Sequence, residues 1–255
     1  MTTTRQNGSL YTNIQKKVAT IEFGHSASNS FSSELLDRLT KELIAVGNND
    51  EVAVIILKSE GKKAFCAGAS FDELVAISNL QEGKQFFSGF ANVLNAMRTC
   101  GKLIIGSVQG KAVGGGVGLA AACDYVFATE NAAIKLSEFT IGIGPFVIEP
   151  AVSRKIGISG TAELTLDATN WKNAYWAKEK GLYAKVFESI HDLDKEVESL
   201  SEKLASYNPI ALVEIKKALW KGTENWNHLL AERAAISGEW VFSEFTKKAL
   251  ENFKK

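Results

Sequence analysis

The chain is poor in the residue types that most narrow a function. Its 255 residues hold only three histidines, three cysteines and three prolines. His25, His191 and His228 are scattered, and no HExxH run or Cys/His cluster supplies the spacing of metal ligands. Cys66, Cys100 and Cys123 are odd in number and sit among apolar or small residues, a pattern of reduced thiols rather than a disulfide frame. There is no G-x-S-x-G elbow and no GxxxxGK(S/T) loop, so neither a serine hydrolase nor a phosphate-loop NTPase has a sequence signal. Charge of one sign is missing too: 29 basic residues balance 29 acidic ones. No net field draws nucleic acid or an anionic membrane, and no net repulsion opposes self-association. No apolar run approaches bilayer length, and the polar opening from Met1 to Gly8 lacks a signal-peptide block. The expected location is the cytoplasm, with neither nucleic acid nor membrane as partner.

What the chain does have is apolar residues, 45% of the total, enough for a sizeable core. Val18–Phe23 reads as a strand ending at Gly24. Ser32 or Ser33 then caps a helix in which Leu35, Leu36, Leu39, Leu43 and Ile44 recur at helical spacing. Val52–Leu57 is a continuous apolar run, as in a strand covered on both faces. A helix from about Gln81 to Met97, a strand at Leu103–Val108 and short strands at Tyr125–Ala128 and Ile134–Leu136 follow. This alternation predicts an α/β fold with parallel pairing. Beyond Pro145 only Tyr183–Phe187 reads as a strand. Pro209 sits in the first turn of a late helix, and Trp226, Leu230, Trp240, Val241 and Phe245 load the C-terminal helices with apolar surface. Part of that load is expected to meet another subunit.

Three local features could carry chemistry. Cys66-Ala-Gly-Ala-Ser70 links a buried strand to a helix. The run Gly110-Lys-Ala-Val-Gly-Gly-Gly-Val-Gly-Leu-Ala-Ala-Ala-Cys-Asp124 reads as a tight turn opening into a short helix. Glycines at a helix start leave amides uncovered, and the helix dipole favours an anion there, or a carbonyl oxygen about to become one. Third is Glu138, between a short strand and Phe139-Thr-Ile-Gly-Ile-Gly144. Taken singly, each also has a purely structural reading: close packing, a turn, a solvated acid.

In this order and spacing, Lys63-Ala-Phe-Cys-Ala-Gly-Ala69 with the glycine run resembles the crotonase (enoyl-CoA hydratase/isomerase) superfamily. Its usual wording is "KAFCAGAD" followed by "G-(x)3-GGG-x-E-L-A-(x)2-CD". Asn29, Ala174 with Gly181-Leu182, and the Pro209 helix with Lys216 extend the resemblance through most of the chain. It implies a spiral of repeated ββα turns over residues 1–195, then a helical trimerisation region over 196–255, in trimers or hexamers. It also implies an acyl-CoA substrate and no metal or redox cofactor, coenzyme A being part of the thioester. Carried over by position, the amides of Ala69 and Gly115 form an oxyanion hole for a thioester enolate, each donor contributing roughly 3–4 kcal/mol to the transition state. Ala67, Gly68, Gly114, Gly118 and Phe146 fall at substrate-binding positions.

The departures bear on the reaction. Two-carboxylate members place one Glu just after the glycine run and another about twenty residues on. Here the first position is Gly118, and only Glu138 remains. A single carboxyl suits a proton shuttle from C2 to C4, so Δ3-to-Δ2 enoyl-CoA isomerisation is the leading expectation, with a hydratase or hydratase-lyase as alternative. Gly144-Pro-Phe146 replaces a glycine-rich turn, Glu149 adds an acid, and Ser70 stands where Asp is usual. Lys62 or Lys63 is the candidate for the missing basic residue near the CoA end. Two rivals remain. Gly116-x-Gly118-x-x-Ala121 after a strand, with Glu138 beyond, matches a dinucleotide fingerprint of an NAD-dependent oxidoreductase. A non-catalytic crotonase-fold binding protein is the other.

Overall fold

The computed structural model describes residues 7–253. A six-stranded sheet runs in the order β1 (Ser9–Gln15), β2 (Val18–Gly24), β3 (Val54–Ser59), β5 (Leu103–Val108), β7 (Tyr125–Thr129) and β9 (Lys185–Phe187). A second sheet joins β4 (Ala64–Cys66), β6 (Lys111–Val113) and β8 (Ile134–Lys135). All pairings are parallel except β1 with β2. From β3 to β9, consecutive strands alternate between the sheets. β3 is followed by β4, β5 by β6 and β7 by β8, and a helical segment closes each turn. The first turn has the same form in reduced size: β2, a single parallel bridge from Phe31 to Ala69, then helix α1 (Ser33–Gly47). This is the expected ββα spiral.

The local causes are readable. Ser32 caps α1 through Leu35 N, and Leu35, Leu36, Leu39 and Leu43 form its buried stripe. β5 is buried at every residue, as a central parallel strand must be when both its faces are covered. Helix α2 (Phe71–Ala76) is capped by Ser70, and α3 (Leu80–Thr99) by Asn79. In the C-terminal half, α5 (Glu149–Leu166) is broken at Gly157, whose φ is 71°. α6 (Ala174–Glu179) and α7 (Ile190–Ala205) lead to α8 (Pro209–Leu219), α9 (Trp226–Trp240) and α10 (Glu244–Phe253).

Much of the C-terminal apolar load stays within the chain. Trp226, Leu230 and Val241 are buried, whereas Trp240 and Phe245 are more than half exposed. α9 lies along α3 with the backbones touching: a Cβ on Gly238 would stand 2.7 Å from the carbonyl carbon of Gly83. α8 is pinned by a buried ion pair between Lys216 Nζ and Asp124 Oδ2 at 2.7 Å. Asp124 also accepts from Trp220 Nε1 and from the amide of Ile104, both at 2.7 Å. The closing Asp of the glycine run thus ties the helical region to the sheet.

Two expectations are corrected here. The glycine run does not pass straight from turn to helix: β6 intervenes before α4 (Gly115–Ala122). The dinucleotide reading fails on packing. α4 spans only 8 residues with nearly all of them buried, and a Cβ on Gly116 would lie 2.8 Å from Cys66 Cβ, so these glycines face protein and not a pyrophosphate.

Candidate active site

The Cys66–Ser70 link is held by the loop before α1. Asn29, at φ 57°, donates through Nδ2 to the carbonyls of Glu60 (2.8 Å) and Ala64 (2.9 Å) and accepts from the amide of His25 (2.9 Å). That knot presents Ser28 and Phe31 to the link. Ala67 N donates to Ser28 O (3.1 Å), Gly68 N to Cys66 Sγ (3.3 Å) and Ser70 N to Phe31 O (2.7 Å). Of the amides of residues 67–70, Ala69's alone has no partner among the described residues, because Phe31 donates to Gly68 O and accepts from Ser70 N, on either side of it. Ser70 keeps its amide in this frame while its hydroxyl caps α2.

The second run arrives through β6. Gly114 turns at φ 52° and donates to Lys135 O at 2.9 Å; it precedes α4 without a side-chain cap. Gly115, as first residue of α4, keeps an amide with no partner among the described residues. The two runs touch: a Cβ on Gly68, whose φ is 88°, would lie 3.5 Å from Gly115 N and 3.1 Å from Val113 O. Glycine at 68 permits that approach. Glycine at 115 has a different reason, since its Cβ would meet the ring of Phe90, 2.9 Å from Cε2. Phe90 in turn packs edge-on against Phe31, with centroids 6.0 Å apart.

Both amides border a cavity of about 450 Å³. Ala67, Ala69, Gly114, Gly115, Glu138 and Phe146 line it. Gly68 and Gly118 do not: Gly68 shapes the link from behind, and Gly118 lies beneath Ile148, a Cβ there falling 2.7 Å from Ile148 Cβ. Phe86, Phe87 and Phe90 from α3 make one wall apolar, and Ser237 of α9 adds a hydroxyl at another.

Glu138 opens a 3-10 helix (Glu138–Ile141), with two residues between it and the end of β8. Its carboxyl rests on Gly114, where a Cβ would come within 2.8 Å of Oε1. The residue as a whole is half-buried, yet its Oε2 is shut off from solvent without a hydrogen-bond partner. Burial pushes its pKa from 4.5 up to about 7. Glu149 is not part of this wall; it sits in the first turn of α5 and accepts from Ser153 Oγ at 2.6 Å. Lys62 and Lys63 are exposed and do not line the cavity. The three thiols are free and buried, and burial drives those of Cys66 and Cys123 up to about 12.

Sequence reasoning missed the cations that do reach the site. Lys135 lines the cavity beside Trp171, and Lys111 joins it on the same ring. No sequence signal announced them: β6 and β8 are too short to show alternation, and it is their pairing, Val113 opposite Lys135, that sets Lys111, Val113 and Lys135 on one face.

Known proteins share this architecture. An enoyl-CoA hydratase from Bacillus halodurans superposes with a TM-score of 0.88 over 95% of this chain and 99% of its own, at 22% identity. One from Bacillus anthracis is 30% identical with a TM-score of 0.78, covering 98% of this chain and 96% of its own. The short-chain-enoyl-CoA hydratase of Clostridium acetobutylicum is 30% identical over 240 residues, 93% of this chain and 91% of that protein. A peroxisomal Δ(3,5)-Δ(2,4)-dienoyl-CoA isomerase of Arabidopsis thaliana is 28% identical over 211 residues, 77% of this chain and 74% of that one. The family model for enoyl-CoA hydratase/isomerase matches residues 13–253. A crotonase-type spiral, with homologues that are acyl-CoA enzymes, defines the class. The chain belongs to the enoyl-CoA hydratase/isomerase family.

Proposed function

We propose that this enzyme moves the double bond of an enoyl-CoA thioester from the 3- to the 2-position, with Glu138 as the proton carrier. The observation that carries the reading is the cover over Gly118: Ile148 occupies the space where a second carboxylate would project, and Glu138 is the one carboxyl lining the cavity among the described residues. In this reading the amides of Ala69 and Gly115 hold the thioester oxygen. Glu138 takes a proton from C2; the C2–H electrons form the enolate, whose charge settles on that oxygen. When the carbonyl re-forms, the 3,4-bond shifts to the 2,3-position, and the same carboxyl returns the proton to C4. A carboxyl titrating near 7 can act as base and then acid at neutral pH. The route calls on no metal or redox cofactor. Phe86, Phe87, Phe90 and Phe146 keep water from the enolate.

Incubation with a 3-enoyl-CoA and a 2-enoyl-CoA in deuterated water tests the reading. The expected result is isomerised product without added water, with deuterium entering at C2 or C4. Hydration of the 2-enoyl thioester as the sole reaction would replace this reading with the hydratase one, and no turnover of either would favour a binding protein. Self-association belongs to the same proposal. Trp240 and Phe245 stay exposed on the C-terminal helices, alongside Ile158 and Leu166 of α5, and light scattering is expected to give the mass of a trimer or hexamer.

A further inference from the structure

Lys111 and Lys135 stand on the same indole. Each ammonium lies 4.9 Å from the centroid of the Trp171 ring, which places the two charges within about 10 Å of each other. Neither has a carboxylate partner among the described residues. The contrast with the adjacent residue is instructive: Lys172 is paired with both Glu163 (3.1 Å) and Asp167 (3.0 Å). An antiparallel bridge from Ile134 to Lys172 fixes Trp171 beside β8, so the arrangement is built from strand geometry and not from a loose loop. Among the described residues Lys135 is also the only cation lining the cavity.

We infer that Lys111, Lys135 and Trp171 form an anion-receiving lip that binds a distal carboxylate on the acyl group, making dicarboxylic acyl-CoA thioesters the preferred substrate class. The inference rests on the thioester reading above and narrows it. Two like charges gathered on one ring, without an acid between them, are matched by an incoming anion. A carboxylate entering a largely apolar cavity whose one lining carboxyl among the described residues is Glu138 needs such a partner. The thioester's own chemistry points to the acyl side. The pantetheine arm is uncharged, and its whole length separates the nucleotide phosphates from the thioester. Lys135, by contrast, is one backbone hydrogen bond from Gly114, next to the amide of Gly115.

The test is calorimetric binding of saturated, non-reacting thioesters: glutaryl-CoA against pentanoyl-CoA, and glutaryl-pantetheine against pentanoyl-pantetheine. The protein is expected to favour the glutaryl member about tenfold or more in both pairs. In Lys111→Met/Lys135→Met, which keeps apolar stems and removes both charges, that preference is expected to fall to near one; Lys111→Arg/Lys135→Arg retains it. Equal affinity for glutaryl and pentanoyl thioesters in the parent overturns the inference. So does a Met variant that weakens both CoA thioesters alike while leaving the pantetheine pair unchanged, since the lysines would then be serving the nucleotide phosphates. Binding is read without turnover. A preserved glutaryl preference in a protein that fails to isomerise would sink the isomerase reading and spare this one.

Discussion

Ile148 lies across Gly118: its Cβ is 2.7 Å from where a side chain on residue 118 would begin. The contact joins α4 to the start of α5 and closes the position at which the family resemblance leads one to look for a second acid. Gly118→Ala is expected to destabilise the fold by about 1–3 kcal/mol through overpacking, measured by urea unfolding. Gly118→Glu on its own is expected to be worse and to gain no hydratase activity. Combined with Ile148→Ala the two changes should be non-additive, the double variant recovering stability that the single one loses. Additive losses would show that Ile148 is not the obstruction.

Under the proposed isomerase reading, Glu138→Gln separates catalysis from stability. Isomerisation is expected to fall by about 10²–10⁴, as for loss of a positioned acid–base group. The folded-state pKa of about 7 lies above the ordinary 4.5. The stabilising share of this carboxyl is therefore complete below 4.5 and is lost as the pH rises through about 7. At pH 8 the Gln variant should be more stable than the parent by on the order of 1–3 kcal/mol, the difference shrinking toward acid. Thermal unfolding at both pH values checks it. In the parent, kcat/KM should rise with pH through about 7, as the base form of Glu138 appears.

Gly114→Ala is expected to act on kcat more than on KM. The residue turns at φ 52°, a region that strains any L side chain, and its new methyl would stand 2.8 Å from Glu138 Oε1. The carboxyl must move to admit it. Steady-state kinetics with a 3-enoyl thioester, with unfolding curves to confirm a folded protein, would detect an unmoved kcat and so refute the close contact.

Lys216→Met should cost about 3–5 kcal/mol, because it leaves Asp124 charged and buried with one partner fewer. Both side chains are 3% exposed. Asp124→Asn/Lys216→Met should recover part of that loss. Hydrogen exchange is expected to show α8 opening before the large sheet.

The spiral was legible because its central strands are continuous apolar runs and its site depends on small residues in a fixed order. β5 spans Leu103–Val108, as its composition requires. β1 escaped notice for a physical reason. It is an edge strand joined to β2 through Lys16 and Lys17, both with positive φ (49° and 64°), and lysines carry none of the Asn-Gly chemistry that announces such a turn. β6 was hidden because a three-residue strand inside a glycine run has no periodicity to show. Glu138 was found by its place in a motif, but its isolation could not be: an orphaned Oε2 depends on what the rest of the chain fails to bring near it. The paired lysines on Trp171 belong to the same class, since Lys111, Lys135 and Trp171 meet only once β6, β8 and the segment before α6 are laid side by side.

Gly83 and Gly238 act beyond holding two helices together. α3 supplies the phenylalanine wall of the cavity and α9 supplies Ser237, so the spacing between these helices is one dimension of the cavity. With backbone meeting backbone, that dimension is already at its lower stop. The chamber behaves like a gauge whose jaws are fully closed. The width left for any occupant is then set by the side chains on the jaws, and a residue larger than glycine at either stop resets the gauge as a whole.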